Sequence, residues 1–113
     1  MKKLKILVPL DGSEKSMNSI KWLKDFFNKD DISITLMNVV ETVLTNKMVY
    51  PTPNSISNEF GALAEESELV LNTAIMELEG YETYKFSILG YAANEILKKA
   101  NKDSFDIIII DRK

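Results

Sequence analysis

The 113-residue sequence contains neither cysteine nor histidine. Without cysteine there is no disulfide framework, no thiol nucleophile and no thiolate metal site. Without histidine, the Ser-His and Cys-His catalytic relays and the usual zinc sites are excluded. Carboxylates, serines and lysines remain, but their spacing matches no recognised set of nucleophile, base and orienting group. The sequence therefore predicts a protein that is not an enzyme.

The sequence also lacks a surplus of basic residues and a long apolar run. The formal net charge is -3, so no electrostatic footprint predicts binding to nucleic acid or to anionic lipid. No stretch approaches the ~20 apolar residues of a membrane span, and the run from Ile6 to Leu10 is too short for a signal peptide. We expect a single domain over residues 1–113, located in the cytoplasm, without a nucleic-acid or membrane partner.

A regular alternation of two kinds of segment runs along the chain. Four β-rich apolar runs begin at Leu4, Ile32, Glu82 and Ile107. Three segments between them carry apolar residues at helical spacing. This alternation predicts an α/β fold built on a mainly parallel sheet with right-handed crossovers. The pattern leaves the order of the strands open.

Two stretches invite more detailed predictions. Residues 41–57 show no sustained periodicity and contain two prolines, so we predict a long loop, lid-like or mobile, before a helix from about Asn58 to Glu79. The last strand, from Ile107 to Ile110, is an unbroken apolar run, which is typical of burial on both faces. Further residues that we expect in the core are Tyr84, Phe86, Ala93, Ile96, Leu97 and Ala100.

Four motifs resemble the universal stress protein family. Residues 6–16 (ILVPLDGSEKS) are similar to its first strand and turn, and residues 36–41 (LMNVVE) to the end of its second strand, with Asn38 replacing a common histidine. Residues 90–97 (GYAANEIL) resemble the helix that follows the family's third strand, and residues 106–110 (DIIII) resemble its fourth strand. The resemblance implies a three-layer α/β/α open parallel sheet of order 3-2-1-4, like that of adenine nucleotide alpha hydrolases. The family's fifth strand and fourth helix would be missing.

Some members of this family bind ATP at the carboxyl ends of the strands. By resemblance, adenine and ribose would lie against Asp11 and the backbone near Val39, with Pro9 and Leu10 forming the floor. The family's phosphate loop is Gly-x-x-Gly, then nine residues, then Gly-Ser or Gly-Thr. Here Asp111 stands where its first glycine is expected, and the later glycines would fall after the last residue. The Asp111 carboxylate would place a negative charge near the phosphates of the nucleotide. Like charges ~4 Å apart repel by roughly 4 kcal/mol at an effective dielectric constant of ~20. We therefore predict no cofactor, with ATP and Mg²⁺ as the alternative.

The same strand order suggests one candidate metal site. Asp11 and Asp111 would follow adjacent strands, and two neighbouring carboxylates can hold a hard divalent cation. Two solvated carboxylates beside Arg112 and Lys113 explain these residues more simply. We predict that no metal is bound.

The resulting functional prediction is a non-catalytic stress-response or regulatory module that acts through dimerisation and contacts with an unidentified protein partner. The expected interface of the homodimer consists of Ile107, Ile108, Ile109 and Ile110, because an open, apolar sheet edge is a template for pairing with another chain. One alternative is a protein that binds ATP or AMP at the ends of strands 1, 2 and 4, with at most weak ATP hydrolysis. Another is a degenerate structural fragment or assembly subunit.

Overall fold

A computed structural model of the chain describes residues 3–40 and 53–110, with side chains in the second helix described from residue 65 onward. The elements in chain order are β1 (Leu4–Pro9), α1 (Glu14–Phe26), β2 (Ile32–Val40), α2 (Pro53–Glu77), β3 (Glu82–Leu89), α3 (Ala92–Asp103) and β4 (Ile107–Ile108). The described strands form one parallel sheet of order β3-β2-β1-β4. This architecture confirms the predicted three-layer α/β fold and its strand order.

The covered face of the sheet carries α1 and α2. Alternate strand residues such as Ile6, Val8, Ile34 and Leu36 point to this face, because successive side chains of a strand point to opposite sides. They form one apolar cluster with residues from both helices. The helical members of the cluster are Ile20, Leu23, Leu71 and Ala74, and Leu78 joins it from the turn after α2.

The opposite face carries α3 and is partly open. Leu7 and Met37 are fully buried there, but Tyr84 of β3 is 56% exposed. None of the twelve residues of α3, all of them described, is buried. The expectation of a buried stripe on α3 was therefore wrong for Ala93, Ile96, Leu97 and Ala100, and the placement of Tyr84 in the core was also wrong. The reason is that α3, the one helix on this side among the described residues, is too narrow to cover the four strands.

The fourth strand is shorter and less buried than the sequence suggested. Regular pairing covers Ile107 and Ile108, which lie opposite Ile6 and Leu7 of β1. Ile107 and Ile109 pack against the apolar cluster, whereas the alternate residues Ile108 and Ile110 are 39% and 55% exposed. The prediction of burial on both faces was wrong, because among the described residues α1 covers one face of this strand and the other face stays exposed.

The second helix begins earlier than predicted. It starts at Pro53 rather than near Asn58, which shortens the predicted loop of residues 41–57. Proline is tolerated in the first turn of a helix, because its missing N–H would have no partner within the helix there. The rest of that predicted loop, residues 41–52, lies outside the described residues.

Candidate functional site

A cleft lies where β1 and β2 end. In open parallel sheets this edge is the usual place for ligands. The cleft has a volume of about 270 Å³, and α2 forms its other wall. Its described lining residues are Asp11, Gly12, Asn38, Val39, Val40, Glu66, Ser67 and Val70.

The turn after β1 is shaped by its own side chains. The Asp11 Oδ1 atom accepts a hydrogen bond from the Ser13 N–H at 2.8 Å. Ser13 is the N-cap of α1, and its Oγ atom accepts the Ser16 N–H at 3.1 Å. These bonds satisfy backbone groups that have no partner within the helix. The turn therefore holds the exposed Asp11 at the mouth of the cleft.

Gly12 brings this turn close to α2. Its φ angle is +87°, a conformation that residues with a Cβ atom rarely adopt. A Cβ atom at this position would also lie 3.1 Å from the Cγ2 atom of Val70. Both the backbone conformation and the close approach favour glycine here. Gly12 thus allows the turn after β1 to lie close to α2.

Asn38 ties the ends of the two central strands together. Its side chain is 8% exposed, and its Nδ2 atom donates to the Leu10 carbonyl oxygen at 2.7 Å. The Leu10 N–H donates in turn to the Met37 carbonyl at 2.7 Å. Because Asn38 occupies an inward position that is otherwise apolar along β2, its polarity was a signal in the sequence, although we did not predict it as a site residue.

Among the four predicted nucleotide-binding residues, the structure brings Asp11 and Val39 together in the cleft. Leu10 is buried in the core and contributes its carbonyl group, while Pro9 is half-buried and lies apart from the described lining. The proposed pair of Asp11 and Asp111 cannot be compared, because Asp111 lies outside the described residues.

The far wall of the cleft was not predicted. Glu66 and Ser67 of α2 lie in it, and the Ser67 Oγ atom is 2.7 Å from that of Ser87 in β3. These residues are far from Asp11 in the sequence, and no local pattern shows which turn of a long helix will meet a strand end. Among the described lining residues the charged ones are Asp11 and Glu66. The described wall of the cleft is thus acidic.

A second concave surface follows the β4 edge. Asn18, Ser19 and Trp22 of α1 form one side of a groove of about 620 Å³, and residues 107–110 form the other. Trp22 is 50% exposed and stacks on Phe26 with ring centroids 4.8 Å apart. The predicted interface residues therefore line an open, largely apolar groove. The prediction did not include the side of the groove that is formed by α1 and its Trp22.

Metal binding and membrane insertion find no structural support in the described ranges. Within residues 3–40 and 53–110 no group of three or more acidic side chains converges to hold a cation. Along the same part of the chain, no helix combines the length and apolar character needed to cross a bilayer.

Comparisons with known proteins identify relatives of the fold. The universal stress protein family model matches residues 4–113, and no curated protein matches the chain. The structure of hypothetical protein MJ0577 is 27% identical with a TM-score of 0.75, and the match covers 96% of this chain and 74% of that one. A universal stress protein family structure from Burkholderia pseudomallei has 20% identity and a TM-score of 0.73, covering 96% and 80% of the two chains. An Arabidopsis thaliana family protein with AMP bound has 13% identity and a TM-score of 0.76, covering 96% and 76%. The last two likenesses concern the fold alone.

Proposed function

The chain belongs to the universal stress protein family, and from this premise we propose a non-catalytic stress-response or regulatory module that acts as a homodimer joined along β4. The absence of histidine and cysteine from the whole sequence supports a role without catalysis. The lack of cysteine also fits a reducing compartment, and we place the protein in the cytoplasm. In this proposal the dimer presents the surface that a further protein partner contacts.

The backbone of the β4 edge carries the proposal. The Ile109 N–H donates to the Leu7 carbonyl oxygen at 2.9 Å, toward β1. Because neighbouring backbone groups of a strand alternate in direction, the N–H and C=O of Ile108 point away from β1. No strand lies on that side within the described residues. Such an edge is a template for a strand of another chain.

The side chains at this edge add apolar area to the proposed interface. Ile108 and Ile110 are partly exposed on one face, and Trp22 is exposed on the other, across the groove. A two-fold axis beside β4 would bring the same surface of both copies together, which is the commonest symmetry of homo-oligomers. Aromatic residues are enriched in the cores of such interfaces. We therefore include Trp22 among the residues of the proposed dimer contact.

Sedimentation velocity of three variants tests the proposed dimer. Ile108→Lys and Ile110→Lys place a charge at the edge, and we expect both to sediment as monomers while the unmodified chain sediments as a dimer. The matched control is Leu69→Lys, at a leucine of α2 that is 67% exposed, and it should remain dimeric. Circular dichroism should show the same helix content in all four proteins. A stable monomer of the unmodified chain at high micromolar concentration would contradict the proposal.

A second candidate function is binding of an adenine nucleotide in the cleft at the ends of β1 and β2. The position of Asp11 and Val39 in one cleft favours it, as does the AMP bound by the Arabidopsis protein of the same fold. The acidic lining argues against tight binding of a triphosphate. We expect calorimetric titration with Mg-ATP to give a dissociation constant no tighter than roughly 100 µM. A low-micromolar constant would make nucleotide binding the better account of the function.

A further inference from the structure

We propose that the cleft selects an unphosphorylated nucleoside over its phosphates, and that Glu66 is the residue that discriminates between them. The inference rests on the second candidate function, since it requires the cleft to accept adenine-type ligands. It goes beyond that function by naming the chemical class of the ligand and the side chain that decides it.

The charges of the described lining favour a ligand that donates hydrogen bonds. Asp11 and Glu66 lie on opposite walls, one after β1 and one on α2. A carboxylate accepts hydrogen bonds, so it can hold a ribose hydroxyl group but repels a phosphate. Dinucleotide-binding folds distinguish a free ribose hydroxyl from a ribose phosphate in the same way. An acidic residue binds the free hydroxyl, whereas an arginine accommodates a phosphate at that place.

The N-terminus of α1 is partly capped by side chains of the protein. The first turn of a helix can bind phosphate through free N–H groups. At the start of α1, however, Ser13 Oγ accepts the Ser16 N–H and Asp11 accepts the Ser13 N–H. Glu14 adds another negative charge to the first turn. A phosphate at this helix would therefore approach the carboxylates of Asp11 and Glu14, and it would reach the Ser16 N–H only by displacing the Ser13 cap.

The size of the cleft points to the same class of ligand. Its volume of about 270 Å³ lies at the lower limit of the ~300–1,000 Å³ range of small-molecule sites. A nucleoside is small enough for such a cleft, whereas a chain of phosphates would extend beyond it.

Calorimetric titration with adenosine and AMP tests the proposal on the full chain and two variants. Glu66→Gln removes the proposed discriminating charge. Glu65→Gln is the matched control, because the same charge is removed at the neighbouring residue, whose side chain lies beside Glu68, Leu69 and Asn72 on another face of α2. Each titration is run at low and at high salt, since screening weakens repulsion between exposed charges.

We expect the unmodified chain to bind adenosine about tenfold or more tightly than AMP at low salt, with a smaller ratio at high salt. Glu66→Gln should reduce the ratio severalfold, mainly by strengthening the binding of AMP, and Glu65→Gln should leave it unchanged. If AMP binds as tightly as adenosine, or if Glu66→Gln changes both affinities equally, the discrimination is refuted while the second candidate function stands. If neither ligand binds at millimolar concentration, both proposals fail.

Discussion

The sheet face beneath α1 and α2 is closed by apolar side chains, whereas the face beneath α3 is partly open, and a lysine makes some of its contacts. On the first face Ile6, Ile34 and Leu23 are entirely buried. On the second, the Lys99 Nζ atom lies 4.0 Å from the centroid of the Phe86 ring and 2.6 Å from the Asp103 carboxylate. The Asp103 carboxylate of this pair is partly exposed, so water weakens the contact and reduces what it adds to stability.

The difference suggests a division of roles between the two layers. The closed face supplies most of the free energy of folding, since burial of apolar area is the dominant favourable contribution. The open face leaves Tyr84 and Leu97 more than half exposed, which is costly for an isolated domain but useful for contacts with another chain. Parallel sheets normally have both faces covered. We therefore expect truncations on the first face to lower the free energy of unfolding more than truncations on the second.

The largest expected effect is a difference between two leucine truncations in helices. Leu23→Ala in α1 removes a fully buried side chain of the core cluster and should lower the free energy of unfolding by about 2–5 kcal/mol. Leu97→Ala in α3 removes a side chain that is 60% exposed and should lower it by less than about 1 kcal/mol. Urea unfolding measures both values. Equal losses would show that α3 stabilises the fold as much as α1 does.

A smaller effect is expected from removing the buried side-chain amide of Asn38 at the ends of the two central strands. Asn38→Ala leaves the Leu10 carbonyl without its 2.7 Å donor, and the free energy of unfolding should fall by about 1–3 kcal/mol. Asn101→Ala, at an exposed position of α3, is the control and should change it by less than about 0.5 kcal/mol. A negligible loss in Asn38→Ala would mean that water replaces the side chain and that Asn38 does not hold the strand ends together.

The closed layer was largely predictable from the sequence, and the open layer was not. Ile6, Ile34 and Leu23 follow the spacing of a strand or a helix, and that spacing alone assigns them to a core. Leu97 follows the same helical spacing, yet its burial depends on what covers the far side of α3, which local spacing does not encode. The strand order came from the family resemblance, because the periodicity of each strand is the same whatever its neighbours.

The candidate site shows the same limit. The turn at Asp11 was recognisable from its position after a strand, and Val39 from its similarity to the family. Glu66 lies on a long helix that meets the cleft through tertiary packing, where Gly12 of the turn lies close to Val70. No signal in the sequence near Glu66 distinguishes it from Glu65. Its place in the cleft required the structure.

The smallest predicted effect concerns the acid dependence of stability on the open face. A hydrogen bond from Lys99 is the main factor that lowers the pKa of the Asp103 carboxyl below its ordinary value. A carboxyl group whose pKa is lower in the folded state stabilises the fold above its unfolded pKa, and this contribution is lost as the pH falls through the folded pKa. As the pH falls below about 4, the stability of Asp103→Asn should therefore decrease slightly less than that of the unmodified chain.

The matching variant for this prediction is Lys99→Gln, which removes the hydrogen-bond donor. Its stability should also decrease slightly less below about pH 4 than that of the unmodified chain. Thermal unfolding followed from pH 7 to pH 2 measures both variants. If the stability of Asp103→Asn decreases at low pH as much as that of the unmodified chain, the contact between Lys99 and Asp103 does not contribute to folding.

Native mass spectrometry of the purified full chain tests the central claim most directly, because one spectrum reports both the assembly and any bound small molecule. The claim is that a second copy pairs with the β4 edge and that the acidic cleft carries no phosphorylated nucleotide. We predict a species of twice the 12.8 kDa chain mass, without added mass from AMP or ATP. A spectrum dominated by monomers that carry AMP or ATP would contradict the account.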